Sequence, residues 1–252
     1  MKTEEPIETA EDILREAEKT SNLEMRQRIL AKAVKAFVRA GRLDLARRTL
    51  DRIRNPYWRS TTLKTILSKL HESGEVGESE RIVERTLELS REIEDALSYV
   101  KTLVNISEAF VKIDHKQKGS EVVKNALKII EGKKDQGELS AILPSIVKVL
   151  AETGDIDKAQ EKIEQIQDDY QKSLAFKYLV RALASQEEMS EAIKFAERIE
   201  NQDHSSQAYM YIGLALLRAK KGDDARKIAK RIKNPYWRSH IVEWSKKVDK
   251  NG

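Results

Sequence analysis

A nonapeptide that occurs twice limits the folds open to this chain more than any other part of the sequence. Residues 52–60 read RIRNPYWRS and residues 231–239 read RIKNPYWRS, so the copies differ only at Arg54 and Lys233. Tryptophan and proline are scarce here, with three and four in 252 residues, so the recurrence is not a product of composition. A segment repeated in this way indicates an array of similar structural modules.

The nonapeptide marks a junction that recurs along the chain. Each junction ends in Asn or Asp. These residues tolerate the left-handed backbone conformation at the end of one helix and cap the N-terminus of the next. A further junction near residues 133–137 is harder to recognise because of an insertion. When it is included, successive junctions are 33 or 40 residues apart. The clear junctions end at Asn22, Asn55, Asp95, Asp168, Asn201 and Asn234.

An apolar triad at positions i, i+3 and i+7 follows each junction and predicts one buried stripe on a first helix, helix A. Four residues after the last triad residue comes a position that ends the helix, called the breaker. Five residues after that position comes a small residue, where a second helix, helix B, would cross helix A closely. The triads are Leu30/Ala33/Phe37, Leu63/Ile66/Leu70, Leu103/Ile106/Phe110, Leu143/Ile146/Leu150, Phe176/Leu179/Leu183 and Tyr209/Ile212/Leu216. The breakers are Gly41, Gly74, Asp114, Gly154, Glu187 and Lys220, and the small residues are Ala46, Ser79, Gly119, Ala159, Ala192 and Ala225.

The pattern predicts an all-α protein, a right-handed α-solenoid (superhelix) of stacked antiparallel helix pairs, because one helical hairpin cannot bury its own stripe. Pro144 falls within a helix A stripe, and we expect that helix to begin late, near Ser140. We expect a single domain over residues 1–252. Its predicted parts are a capping helix 7–19, repeats of about 22–54, 55–94, 95–134, 135–167, 168–200 and 201–233, and a C-terminal capping helix 235–249.

The repeat length, the helix A triad, the breaker and the small residue after it resemble the tetratricopeptide repeat, over nearly the whole chain. The small residue that this family carries on helix A is matched only by Gly213. The segment Ala40-Gly41-Arg42-Leu43, followed by Ala46, also resembles a pentatricopeptide unit, a related RNA-reading repeat, but it recurs poorly. The tetratricopeptide resemblance implies a scaffold that binds peptides or proteins on the concave face of its A helices.

Composition excludes several classes of function. The chain has no cysteine, so disulfides and thiolate metal sites are excluded, which favours a reducing compartment and a cytoplasmic location. No apolar run is long enough for a signal sequence or a membrane span. Charged residues make up 35% of the chain, and heavy use of Lys and Glu without Cys is also typical of thermophile proteins.

No residue pattern points to catalysis, a metal or a cofactor. The four histidines, His71, His115, His204 and His240, lie in different repeats without metal-ligand spacing. The sequence also lacks a phosphate-binding glycine loop and a nucleophile elbow. We therefore predict a protein that is not an enzyme, with no catalytic residue, no metal and no cofactor.

The charge on the A helices is the strongest functional signal. With a net charge of +5, basic residues recur on these helices, although Glu72, Glu108 and Glu152 interrupt them. The resemblance implies that basic and amide side chains on this face hold the carboxylates of a peptide. The predicted binding residues are Arg28, Lys35, Arg39, Lys64, Lys101, Asn105, Lys148, Lys177 and Arg181.

The repeated Tyr-Trp pair has two interpretations. Tyr57 and Trp58, and likewise Tyr236 and Trp237, either form an aromatic platform for a peptide or base, or wedge against the preceding helix B as packing. We favour packing, because tryptophan in helical repeats is commonly buried.

The leading hypothesis is a non-enzymatic scaffold for protein–protein interaction, with an acidic peptide or protein as its partner. The alternative is a helical-repeat protein that binds RNA or single-stranded nucleic acid, which the sequence pI of about 9.1 permits. The sequence predicts no membrane partner and no particular oligomeric state.

Overall fold

A computed structural model describes residues 9–131 and 136–250, and within these ranges every regular element is an α-helix. The helices are α1 (Ala10–Lys19), α2 (Leu23–Arg39), α3 (Leu43–Asp51), α4 (Pro56–Glu72), α5 (Val76–Ser90), α6 (Ala96–Lys112), α7 (Lys116–Ile130), α8 (Gln136–Glu152), α9 (Ile156–Glu164), α10 (Asp169–Ser185), α11 (Met189–Ala196), α12 (Gln202–Arg218), α13 (Gly222–Ala229) and α14 (Pro235–Lys250).

The chain forms two compact units, an N-terminal unit of residues Met1–Glu131 and a C-terminal unit of residues Gly132–Gly252. In the N-terminal unit the A helices α2, α4 and α6 pack side by side, and each also packs against the B helix that follows it. The C-terminal unit repeats this arrangement with A helices α8, α10, α12 and α14 and B helices α9, α11 and α13. The all-α, helical-repeat fold predicted from the sequence is confirmed.

Each A helix from α2 to α12 joins its B helix through a turn of three residues. The middle residue of every turn has a positive φ, between 57° and 87°, and is the breaker position of the sequence pattern. The N–H of the third turn residue donates to the carbonyl of the last triad residue, as Arg42 does to Phe37 and Lys221 does to Leu216. This hydrogen bond closes the helix end and reverses the chain, so the breaker residues fix the helical hairpins.

The junction Asn and Asp residues cap the A helices. The Asn55 Oδ1 atom accepts from the Trp58 N–H at 3.1 Å, and Asn234 Oδ1 accepts from the Trp237 N–H at 3.2 Å. Asn22, Asp95, Asp168 and Asn201 make the same bond three residues on. The cap satisfies a backbone donor that the first helical turn leaves without a partner.

The core is formed by the predicted triads and small residues. All eighteen triad side chains are buried, and so are the six small residues of the B helices. At Gly119 a Cβ atom would lie 2.8 Å from Val111 Cγ2, which shows how closely α7 approaches α6. Small side chains at this position therefore let each B helix lie directly on its A helix.

The start of α8 differs from the prediction. The prediction that the helix containing Pro144 begins near Ser140 is wrong, because α8 begins at Gln136 and Pro144 lies inside it. Burial of the neighbouring Leu143 and Ile146 offsets the backbone hydrogen bond that proline removes. Residues 7–8 of the predicted capping helix lie outside the described residues, as do residues 133–135 of the junction near residues 133–137.

Candidate interaction surfaces

Three of the predicted binding residues share one stripe of α2. Arg28, Lys35 and Arg39 stand at i, i+7 and i+11, a spacing that aligns side chains along one side of a helix. The side chains of Arg28 and Arg39 are exposed and Lys35 is half-buried. Burial, and next the nearby Arg39 charge, lowers the pKa of Lys35 below its usual value. The stripe is therefore a concentration of positive charge.

Five cations on α2, α4 and α6 have no carboxylate partner in the part of the chain that the structure describes. Within the described residues, Arg28, Lys35 and Arg39 form no ion pair with a carboxylate, and neither do Lys64 on α4 and Lys101 on α6. Because α2 packs against α4 and α4 against α6, these five side chains belong to neighbouring helices. We call Arg28, Lys35, Arg39, Lys64 and Lys101 the unpaired A-face cations.

The B helices of the same unit differ in part, because four of their cations have carboxylate partners. Lys118 contacts Glu80 at 2.9 Å and Glu84 at 2.7 Å, and these two carboxylates raise the pKa of Lys118 to about 12. Three arginines of these helices also have carboxylate partners: Arg47 with Glu75, Arg81 with Glu78 and Arg85 with Glu88. These four cations are therefore balanced by carboxylates within the protein.

The predicted binding residues of the C-terminal unit are engaged internally. Arg181 pairs with Glu152, and its guanidinium lies 5.7 Å from the Tyr178 ring centre and 6.0 Å from that of Tyr211. Lys177 is only 8% exposed, and its Nζ atom donates to Gln207 Oε1 at 3.1 Å. These two residues hold α10 against α8 and α12.

Lys177 and His204 form a buried pair of nitrogen groups. Lys177 Nζ lies 3.4 Å from His204 Nδ1, and among the described residues no hydrogen-bond partner faces His204 Nε2. Burial, and next the charge of Lys177, lowers the pKa of His204, which Asp203 opposes. Burial, and next the charge of Arg181, lowers the pKa of Lys177. The imidazole is therefore neutral where it contacts Lys177.

Asn105 and Lys148 occupy different settings. Asn105 Nδ2 donates to Ser60 Oγ at 3.0 Å, so this predicted binding residue joins α6 to α4. Lys148 is half-exposed on α8. The basic residues of the N-terminal unit thus lie on neighbouring A helices, whereas Asn105, Lys177 and Arg181 have partners within the protein.

The two Tyr-Trp pairs have the same internal geometry. The rings of Tyr57 and Trp58 meet edge to face at 5.1 Å, and those of Tyr236 and Trp237 at 5.0 Å. The first pair is half-buried, whereas Tyr236 is 59% exposed. The second pair therefore presents more aromatic surface to solvent than the first.

An aromatic column in the C-terminal unit was missed from the sequence. Tyr178, Tyr211 and Trp244 stand 33 residues apart, at the same position of three consecutive A helices. Tyr211 is half-exposed and Trp244 is 36% exposed, close to His240. The 33-residue spacing was the signal that could have revealed the column.

The described residues contain neither a cluster of metal ligands nor a membrane-spanning helix. Among the described residues, no group of three His, Asp or Glu side chains is arranged to hold a metal ion. Within the same ranges, no helix combines the length and apolar character needed to cross a membrane.

No known family model matches this chain, and no curated protein matches its sequence. Solved structures with similar folds include BtubC from P. vanneervenii, at 14% identity over 92% of each chain, with a TM-score of 0.45. A Pyrococcus horikoshii STAND protein with a tetratricopeptide repeat sensor matches at 12% identity over 98% of this chain and 42% of that one, with a TM-score of 0.41.

The TPR2AB domain of yeast Sti1, in complex with pHSP90, matches at 15% identity over 87% of this chain and 96% of that one, with a TM-score of 0.29. The positive-φ turns, capped A helices and buried triads of the chain itself show an all-α fold of repeated helical hairpins, and solved structures of similar fold include proteins with tetratricopeptide repeats.

Proposed function

We propose that the chain is a non-enzymatic, cytoplasmic scaffold that binds an acidic peptide or an acidic segment of a partner protein on its A helices. The observation that carries the proposal is the contrast in ion pairing within the N-terminal unit. The five unpaired A-face cations lack carboxylate partners among the described residues, whereas Arg47, Arg81, Arg85 and Lys118 of the B helices have them. A partner's carboxylates would supply the missing counter-ions.

The arrangement of these cations supports an extended ligand. Arg28, Lys35 and Arg39 run along α2, and Lys64 and Lys101 continue the charge on α4 and α6. Arginine can hold a carboxylate through two parallel N–H donors, while lysine acts as a single charge. Lys148, Lys177 and Arg181 remain predicted contacts, with weaker contributions expected from Lys177 and Arg181 because each has internal partners.

A peptide selection followed by measurements on variants tests this proposal. Peptides from a random display library are selected on the wild-type protein, and the affinity of an enriched peptide is measured by fluorescence anisotropy. We expect the enriched peptides to be rich in Asp and Glu. The variant Arg28→Glu/Arg39→Glu should bind them about tenfold more weakly or worse, because two charge-assisted contacts are lost.

The matched control is Lys116→Glu/Lys128→Glu, which makes the same change in net charge on α7. Lys116 and Lys128 are exposed and form no ion pair within the described residues, so their reversal should alter affinity by no more than about twofold. Equal losses in the two variants, or a selection that yields peptides without acidic residues, would contradict the proposal.

Single-stranded nucleic acid is the second candidate ligand, favoured by the aromatic column of the C-terminal unit. Tyr178, Tyr211 and Trp244, with Lys177 and Arg181 nearby, combine ring faces and positive charge, as single-strand binders do. A labelled oligouridylate titrated over a range of salt concentrations tests it. Binding that weakens steeply with salt and is lost in Tyr211→Ala/Trp244→Ala would support this candidate over the peptide.

A further inference from the structure

Ion pairs between successive B helices follow a fixed register. A glutamate near the end of one B helix, or of α1, contacts an arginine 34 residues later in three places. Two of the distances are 3.2 Å for Glu18–Arg52 and 2.6 Å for Glu164–Arg198. The third pair is Glu197–Arg231. We call this set the inter-repeat ion-pair ladder.

The ladder is interrupted at one position of the N-terminal unit. Asp51 and Arg85 stand in the same two places, but no ion pair joins them in the part of the chain that the structure describes. Arg85 contacts Glu88 on its own helix at 2.9 Å instead, and Asp51 lies 3.5 Å from Arg59. Aspartate is shorter than glutamate by one methylene group, which accounts for the missing contact.

A crevice lies beside Arg59 and Arg85. Its volume is about 280 Å³, and it is lined by Asp51, Arg59, Glu78, Arg81, Ile82 and Arg85. A second crevice of about 350 Å³, lined in part by Lys172 and Arg198, lies beside the closed Glu164–Arg198 pair, so the first crevice is distinguished by its buried Arg59. Arg81 and Arg85 are exposed at their ends, so their guanidinium groups can move toward a ligand in the crevice. Three arginines therefore meet at one site, against two carboxylates.

The buried charge of Arg59 is incompletely compensated. Its side chain is 4% exposed, with Nη1 donating to the Leu50 carbonyl at 2.6 Å and Nε to Thr86 Oγ1 at 3.2 Å. Among the described residues, the partner of Nη2 is Asp51 Oδ1, at the long distance of 3.5 Å, and that carboxylate is itself largely exposed. A buried cation with so distant a counter-charge favours a further anion beside it.

We propose that this crevice, between α3 and α5, binds a phosphate group, either as the free ion or as the end group of a small phosphate ester. The planar donor forks of Arg59, Arg81 and Arg85 suit the oxygens of phosphate. Binding would move Arg85 from its surface contact with Glu88, which holds little energy, to the ligand. The site lies beside the B helices and is independent of the peptide surface proposed above.

The most informative variant is Asp51→Glu, which restores the residue type of the other ladder positions. The longer side chain should pair with Arg85 and hold its guanidinium away from the ligand without harming the fold. Phosphate affinity, measured by isothermal titration with inorganic phosphate and with glycerol 3-phosphate at constant ionic strength, should fall about tenfold or more in Asp51→Glu and in Arg85→Gln. Binding of glycerol 3-phosphate without binding of inorganic phosphate would assign the natural ligand to the phosphate esters. Equal affinity for the two compounds would assign it to the free ion.

The control variant is Arg198→Gln, at the position where the ladder pair is closed, and it should leave phosphate affinity unchanged. Acetate at the same ionic strength should bind more weakly than phosphate. The proposal is overturned if the wild type does not bind phosphate, if acetate binds equally well, or if Asp51→Glu and Arg85→Gln retain wild-type affinity.

Discussion

The two copies of the nonapeptide have nearly the same sequence and very different surroundings. In the first copy, Arg59 is buried and donates to Leu50 and Thr86, and Ser60 accepts from Asn105. In the second copy, the equivalent Arg238 and Ser239 are exposed. The first lies on α4, which packs against α2, α3, α5 and α6, whereas the second lies on α14, which packs against α12 and α13 among the described helices.

The comparison separates what the segment itself determines from what its neighbours determine. Both copies keep the asparagine cap and the edge-to-face Tyr-Trp pair, because these depend on residues within the segment. The roles of the arginine and serine depend on the helices packed around them. A charged residue in this fold is more readily available to a partner where the neighbouring helices do not bury it.

The largest expected difference between the copies is at the arginine. Arg59→Ala should lower the free energy of unfolding by about 2–4 kcal/mol, because it leaves buried hydrogen-bond partners unsatisfied and opens a cavity. Arg238→Ala should change it by less than about 0.5 kcal/mol, as expected for an exposed side chain. Urea unfolding followed by circular dichroism measures both, and equal losses would show that the second copy is buried in solution.

The caps should behave alike. Asn55→Ala and Asn234→Ala should each cost about 1 kcal/mol, because each removes one side-chain bond to the first turn of its helix. Unfolding experiments on the two variants should therefore agree within about 0.5 kcal/mol. A much larger cost at Asn55 would mean that the cap also depends on the neighbouring helices.

The serines should show a smaller difference. Ser60→Ala removes the acceptor of Asn105 Nδ2 and should cost about 0.5–1.5 kcal/mol. Ser239 is exposed and donates to the Tyr236 carbonyl of its own helix, so Ser239→Ala should be close to neutral. The double variant Asn105→Ala/Ser60→Ala provides the check. If Asn105 donates to Ser60 in solution, the loss in unfolding free energy should be smaller than the sum of the two single losses.

The smallest effect concerns His204, which occupies the position of Trp58 and Trp237 in another junction, three residues after Asn201. The pKa of His204 is lowered from 6.5 in the folded protein by burial and by Lys177. Below pH 6.5 His204 therefore binds a proton more readily in the unfolded chain than in the folded protein. The stability that neutral His204 contributes is complete above this pH and is lost as the pH decreases through it.

His204→Gln should remove this part of the pH dependence while it keeps a polar group beside Lys177. Unfolding free energies of the wild type and the variant at mildly acidic and neutral pH test the expectation. An unchanged pH dependence would assign the titration to another group.

Much of the fold could be predicted from the sequence, because its determinants are local. The caps, the breaker residues and the triads each act within one hairpin, and all were identified from their spacing. Pro144 was misjudged because burial of its neighbours, a tertiary effect, outweighs the local preference of proline. The aromatic column at Tyr178 and Tyr211 could have been found from its period.

The candidate site was less predictable, because ion pairing depends on which helices face each other. The sequence placed basic residues on the A helices but could not separate Arg28, which has no carboxylate partner among the described residues, from Arg181, which pairs with Glu152. It also left open whether Tyr57 and Trp58, with the adjacent Arg59, form an exposed platform. The structure buries Arg59, because α5 supplies Thr86 as its partner.

Zero-length carbodiimide cross-linking of a selected acidic peptide to the wild-type protein tests the proposed surface most directly. The reagent joins peptide carboxylates to lysines that they contact, and mass spectrometry identifies those lysines. We predict cross-links at Lys35, Lys64 and Lys101. Cross-links concentrated instead at Lys116 and Lys128 on α7 would contradict the assignment of recognition to the A helices.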